Sequence, residues 1–410
     1  MPCRSIRACR KEWRPAGLWK VEEDGIPVQH GELPALSLKP GEYTQITLPA
    51  RPVTDPNPGS EYFAGISFVL AQPVPWAEEG YEVAAAQFAL PARTGLPERM
   101  ETGGTTIPQV EENENFVHIR GDDFELAIDR STGLINRYAY RGEILIDGPL
   151  HHNFWRPQTD NDRRGFGTHI RLAYWREAAR EGELSDLEVL KDAGDHVRIR
   201  ATRILPDEKA LTTFEYEVYG NGWIHVRSGF TPEAMLPNLP RYGLQTTVPV
   251  AYGHVIYFGK GPHENYIDRQ VSADVGLYES TVEEFGEPYI YPQENGNRLG
   301  VRWMALLNGN NEGLVISGDQ PLSMSVWPNS QDEIEEATHT NELPCSYQIT
   351  LNIDLIQMGV GGIDSWTTNA APLADYQIEP EAMSYSFWIK PFMGTAVELG
   401  AFSRTRIRDF

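Results

Sequence analysis

The chain has 410 residues, 40% of them hydrophobic and 10% aromatic, which is enough for two or three domains with sizeable cores. Acidic residues outnumber basic ones 58 to 35, and a net charge of −23 would repel a phosphate backbone while tolerating a neutral partner such as a sugar. No apolar run approaches bilayer length, which argues against a membrane-spanning helix.

Residues 1–17 form a basic leader with Arg4, Arg7, Arg10, Lys11 and Arg14. It lacks the apolar core and small-residue cleavage site of a signal peptide, so a cytoplasmic protein is expected. Cys3, Cys9 and Cys345 are odd in number and irregular in spacing, which predicts reduced thiols; a Cys3–Cys9 bridge is the alternative. Residues 18–93 read as a small β-sandwich, with turn signals at Glu23-Asp24-Gly25 and Lys39-Pro40-Gly41-Glu42 and a strand at Tyr43–Leu48. Residues 94–109, with Gly103-Gly104, lack apolar periodicity and read as a linker. Over residues 110–395 strand signals continue without a break, among them Phe116–Ile119, Phe124–Ile128, His196–Arg200 and Trp223–Val226. One helix is predicted, from Ile170 to Gly182, and residues 396–410 read as a polar tail. One helix among so many strands gives an all-β fold class.

Four polar or Gly/Pro-rich segments separate these strands: Phe154–Asp162, Gly261–Arg269, Tyr291–Arg298 and Met358–Trp366. Loops of this kind carry function on a rigid scaffold. Asp160-Asn161-Asp162 invites a calcium reading, but the fifth and twelfth positions of such a loop would be Arg164 and Arg171. A loop hydrogen-bonded to Arg156 or Arg163 is the better reading. Glu264 and Glu294 would suit an acid and nucleophile pair, yet are more simply loop anchors paired with Arg269 and Arg298. Asn265, Asn295 and Asn297 are suited to stitching turns. His263 beside Glu264 offers an acid and a base, against a plain loop role. His151-His152 lacks metal spacing, and Asn113-Glu114, Asn311-Glu312 and Asn341-Glu342 sit in turn-like contexts. No catalytic residue and no metal ligand is assigned. Trp366 follows the glycine-rich Gly361-Gly362-Ile363-Asp364-Ser365; its indole is either a platform for the C–H face of a sugar or an ordinary core residue.

In this order the four segments resemble the C-terminal domain of the lactose-cleaving β-galactosidases of glycoside hydrolase family 2. Trp19–Gly25, Leu38–Gly41, Pro75–Ala84 and Gln87–Pro91 look like the immunoglobulin-like domain that precedes it. The resemblance runs from about Leu18 to Phe392. It implies a truncated immunoglobulin-like β-sandwich followed by a galactose mutarotase-like β-supersandwich, since Met1–Arg14 does not match the family's first strand. The family's two catalytic glutamates and its magnesium site, with sodium as a second ion, lie on a (β/α)8 barrel for which this chain has no room. The expected activity is therefore that of a complete, oligomeric enzyme hydrolysing terminal β-D-galactosides with retention. This chain would be inactive alone and would need no cofactor of its own. It would partner a barrel-containing chain as a natural small subunit, a fragment or the product of a split gene. In the family, the tryptophan matching Trp366 lines the substrate-binding part of the active site, and the Asp160–Asp162 segment lies near that side; Asp364 would be adjacent to it. Two other functions remain open: a free carbohydrate-binding module using aromatic platforms, and a mutarotase-type epimerase using His263 and Glu264.

Overall fold

The computed structural model describes residues 15–36, 38, 41–91, 99–100, 106–190 and 195–407. Residues 1–14 of the expected leader, Cys3, Cys9, Lys39, Pro40 and most of the expected linker lie outside the described residues. The chain divides into two compact units, Met1–Glu98 and Arg99–Phe410.

In the first unit four antiparallel strands form one sheet, in the order Ile26–Glu32, Pro15–Glu23, Tyr62–Leu70, Glu82–Leu90. The first hairpin turns at Asp24-Gly25, both with positive φ (49° and 83°), the conformation a tight hairpin demands and Asp-Gly supplies. Trp19, Val21 and Leu33 are the buried centre, and Ile46, Leu48 and Ala50 pack on it. Tyr43–Leu48 thus helps cover the core through Ile46 and Leu48, but among the described residues it joins no ladder. Alternating apolar side chains are enough to cover a face; prolines at 49, 52, 56 and 58 remove ladder donors from the segment that follows.

The second unit holds a five-stranded antiparallel meander, from Gln109–Glu112 through Glu143–Ile146 in sequence order, and a twelve-stranded sheet. Strand Ala210–Tyr219 alternates buried and half-buried residues, as a one-sided strand should. Val117, Leu126 and Tyr138 of the meander share one core with Phe214, Tyr216 and Val218 of the large sheet. The 16-residue strand Glu312–Trp327 pairs with three neighbours: Arg298–Leu307, Met383–Met393 and Gln348–Gln357.

The predicted helix is broken into Thr168–Arg171 and Tyr174–Glu181. It is anchored by Trp175, fully buried, whose indole N–H donates to the carbonyls of Pro237 (3.1 Å) and Asn238 (3.0 Å). Within the expected C-terminal tail, residues 396–407 are structured: helix Ala396–Arg404 starts at a Thr395/Glu398 capping box, and Arg406–Ile407 pairs in parallel with Arg99–Met100. The reason is Lys390. Buried in strand Met383–Met393, its ammonium donates to the carbonyls of Phe402 (3.3 Å), Ser403 (3.0 Å) and Thr405 (2.6 Å), closing the helix C-terminus.

Candidate functional site

The four segments singled out in the sequence are loops at strand ends of the second unit, and the structure brings them together. Asp160, Asn161, Glu264, Tyr266, Glu294 and Val360, drawn from all four, line one cleft of about 220 Å³.

Arg156 is the first organiser. It is 1% exposed and grips Asp162 bidentately, Nε to Oδ2 and Nη2 to Oδ1, both at 3.0 Å. Its remaining donors reach Gln357 Oε1 (3.1 Å) and the carbonyls of Met358 (2.8 Å) and Gly359 (3.0 Å). One guanidinium therefore ties the first loop to the last, and of the two partners expected for the Asp160–Asp162 segment it is Arg156 that holds Asp162. Asp160 is exposed, with its backbone N–H on Gln293 Oε1 at 3.3 Å, while residues 161–166 form a short π-helix. Among the described residues no group of three or more His, Cys, Asp or Glu side chains is placed to hold a metal ion.

Glu264 is buried and pairs with Arg269, as the sequence suggested; it also accepts from Tyr289 Oη (2.5 Å) and the Gly296 N–H (2.8 Å). Asn265 is fully buried; its amide donates to the carbonyls of Lys260 (3.1 Å) and His263 (3.0 Å) and accepts from Leu299 N–H (2.9 Å). Asn297 donates to Asn265 O at 2.8 Å and Asn295 donates to Gln293 O at 2.8 Å, so these amides do stitch the turns. His263 stands exposed, its Nε2 2.9 Å from Ser272 Oγ.

Glu294 departs from expectation. Its partner is not Arg298, whose donors go to Tyr257 Oη and the carbonyls of Gly296 and Phe285. Glu294 instead accepts from Arg241 Nη2 (3.1 Å) and Gln357 Nε2 (3.2 Å). Arg298 sits too near its own loop's carbonyls to turn outward, whereas Arg241 arrives from the neighbouring strand. Arg241 also lies 3.0 Å from Asp354, and all three side chains are fully buried. Burial pushes the Asp354 carboxyl up to about 7, against the pull of Arg241 and with repulsion from Glu294 adding to it. Burial likewise raises Glu294. Neither Asp354 nor Arg241 stood out in the sequence. The available signal was a lone charge in a strand with no other charged residue, Asp354 in Gln348–Gln357 and Arg241 in Arg241–Pro249.

The last loop ends at Trp366, which is 77% exposed, with Ile363 beside it at 76%. Trp366 is therefore not packed into a core. Asp364 caps the turn beneath it, accepting from Trp366 N–H (3.1 Å), Thr367 N–H (2.9 Å) and Thr367 Oγ1 (2.6 Å). These bonds hold the Asp364 carboxyl below its usual range. Gly359 and Gly362 permit the loop's close approaches: a Cβ at 359 would lie 2.6 Å from Asp268 Oδ2, and one at 362 would lie 2.5 Å from the Ala370 backbone.

Comparison with known proteins places this arrangement. Residues 120–389 match the family described as β-galactosidase small chain, and residues 16–91 match β-galactosidase domain 4. The chain is 32% identical over 356 residues to a β-galactosidase of Priestia megaterium, covering 87% of this chain and 34% of that protein. It is 31% identical over 381 residues to a β-galactosidase of Streptococcus thermophilus, covering 91% of this chain and 36% of that protein. The chain thus spans about a third of the length of the curated relatives it matches. Among solved structures, galactose 1-epimerase from Lactobacillus acidophilus NCFM is similar with a TM-score of 0.40 and 10% identity, covering 70% of this chain and 98% of that one. Between them the two family matches account for both structural units and for all four loops of the cleft, and the chain belongs to the β-galactosidase family as its small-chain region preceded by domain 4.

Proposed function

We propose that this chain acts as the small-subunit part of a β-galactosidase that hydrolyses terminal β-D-galactosides with retention, and that Trp366 is its contribution to substrate binding. The observation that carries this is the exposed indole of Trp366 at the tip of a loop braced by its neighbours, in a chain of this family. An aromatic face packs well on the apolar C–H patch of galactose, and the apolar area removed from water is worth roughly 25 cal/mol per Å². The acid and the nucleophile that retention requires are assigned to a barrel on another polypeptide. That barrel would hold magnesium, with sodium as a second ion; here Asp162 is taken up by Arg156. Glu264 and Glu294 are committed to arginine, tyrosine, amide and backbone donors, which suits anchoring rather than proton transfer. The same engagement of Glu264 disfavours an epimerase built on His263 and Glu264.

The test is reconstitution. The chain alone should not turn over a chromogenic β-galactoside. Mixed with a polypeptide carrying the remaining domains of a β-galactosidase of this family, it should co-elute on size exclusion and yield activity. Turnover by the chain alone that vanishes in Glu264→Gln or Glu294→Gln would overturn the proposal, as would a chain that ignores such a partner.

A further inference from the structure

The Trp366 loop is held at three places by two other loops. Arg156 binds the carbonyls of Met358 and Gly359. Asp268 Oδ2 accepts the Gly361 N–H at 2.7 Å. Asn161 Nδ2 bridges the carbonyls of Asp364 and Ala370, each at 3.3 Å. Arg156 also holds Asp162 in a buried pair, so it serves the fold as well as the loop.

The other two anchors are different. Asn161 and Asp268 are only half-buried, and among the described residues the hydrogen bonds their side chains make go to this loop and to Ala370 just beyond it. Asp268 Oδ1 meets no protein donor among the described residues. Asn161 fixes the Asp364 carbonyl, and the Asp364 carboxylate in turn fixes the Trp366 N–H. A short chain of hydrogen bonds therefore runs from the π-helix to the indole-bearing residue.

We infer that Asn161 and Asp268 are positioning residues, setting the Trp366 loop in the geometry in which its indole meets a sugar. The inference rests on the platform reading of Trp366 proposed above.

The full chain, labelled with 5-fluorotryptophan, gives a direct test by ¹⁹F NMR, with the Trp366 resonance assigned by its loss in Trp366→Phe. In Asn161→Ala and in Asp268→Ala that one resonance should shift toward the position of the free amino acid and narrow by about two-fold, because the loop gains fast motion. Amides of residues 359–366 should exchange about ten-fold faster. Asp268→Asn, whose amide oxygen can still accept from Gly361, should restore the wild-type resonance. A Trp366 resonance unchanged in both alanine variants overturns the inference. So does a lowered Tm with all tryptophan resonances moving together, which would mark these residues as general support.

In the assembled enzyme both alanine variants should raise KM about three- to ten-fold with kcat nearly kept. If Trp366→Ala leaves KM unchanged, the platform reading falls. If Trp366→Ala raises KM while Asn161→Ala and Asp268→Ala do not, only the positioning inference falls.

Discussion

Trp366 and Trp175 show how far apart two tryptophans of one chain can stand. Trp175 is fully buried with its N–H on two carbonyls, whereas Trp366 is 77% exposed over an Asp364-capped turn. Trp366→Ala should therefore leave Tm nearly unchanged, while KM for a galactoside in the assembled enzyme rises by about ten-fold, the equivalent of about 1.4 kcal/mol. Thermal melting and kinetics on one variant separate this from a packing role, which would cost about 3–5 kcal/mol of stability. Asp354 makes a prediction in pH. Its carboxyl has an ordinary value of 3.8 and stands at about 7 in the fold. The stability that the neutral form confers is fully present below pH 3.8 and is lost as pH rises through about 7, because the folded chain holds a proton the unfolded chain has released. Asp354→Asn stays neutral throughout. Its stability relative to wild type should improve by about 2 kcal/mol between pH 5 and pH 8.5, below the ceiling of about 4 kcal/mol set by the full shift. Parallel stability curves across that range would contradict the assignment.

At the scale of elements, the C-terminal helix depends on a residue from a strand. Ala396–Arg404 is nine residues long, too short to persist alone in water. It is held by the Thr395/Glu398 box at one end and Lys390 at the other. Burial drives the Lys390 ammonium well below its usual range, so its three carbonyl partners and the Trp223 ring 4.4 Å away are what keep it in place. Lys390→Met conserves volume but removes the ammonium's donations to Phe402, Ser403 and Thr405, leaving Ser403 and Thr405 to Arg406, at about 1–3 kcal/mol. Hydrogen exchange should show Ala396–Arg404 losing protection selectively while the strands of the large sheet keep theirs. Uniform loss, or none, would refute a capping role.

Across the whole molecule, strands were readable where one face is wet. Ala210–Tyr219 and Phe124–Asp129 alternate as written, and Asp24-Gly25 announces its own turn. The loops too were legible, because polar, Gly- and Pro-rich runs punctuate the strands. What could not be read was pairing at a distance. Tyr43–Leu48 has a strand's periodicity but no ladder, since covering a core satisfies apolar side chains without engaging the backbone. Glu294 has Arg298 four residues away, yet its partner Arg241 comes from 53 residues upstream. The C-terminal residues looked polar because their anchor, Lys390, lies in another element. Within the site, the local stitching of Asn265, Asn297 and Glu264 to Arg269 was foreseeable from short spacing. The buried group of Arg241, Glu294 and Asp354 was not, because two of its members come from paired strands and the third from a loop distant in sequence.

The strand Glu312–Trp327 carries one more consequence. Arg298–Leu307 runs beside it from Gly313 to Met324, Met383–Met393 lies along its first half and Gln348–Gln357 along its second. It behaves like a shared hinge-pin: drawing it out unzips the ladders to all three neighbours at once. Change is then cheap at the loop tips and expensive at the pin. An insertion in the middle of Glu312–Trp327 would disengage three partners in a single step, whereas one at an exposed loop tip would disturb only local bonds.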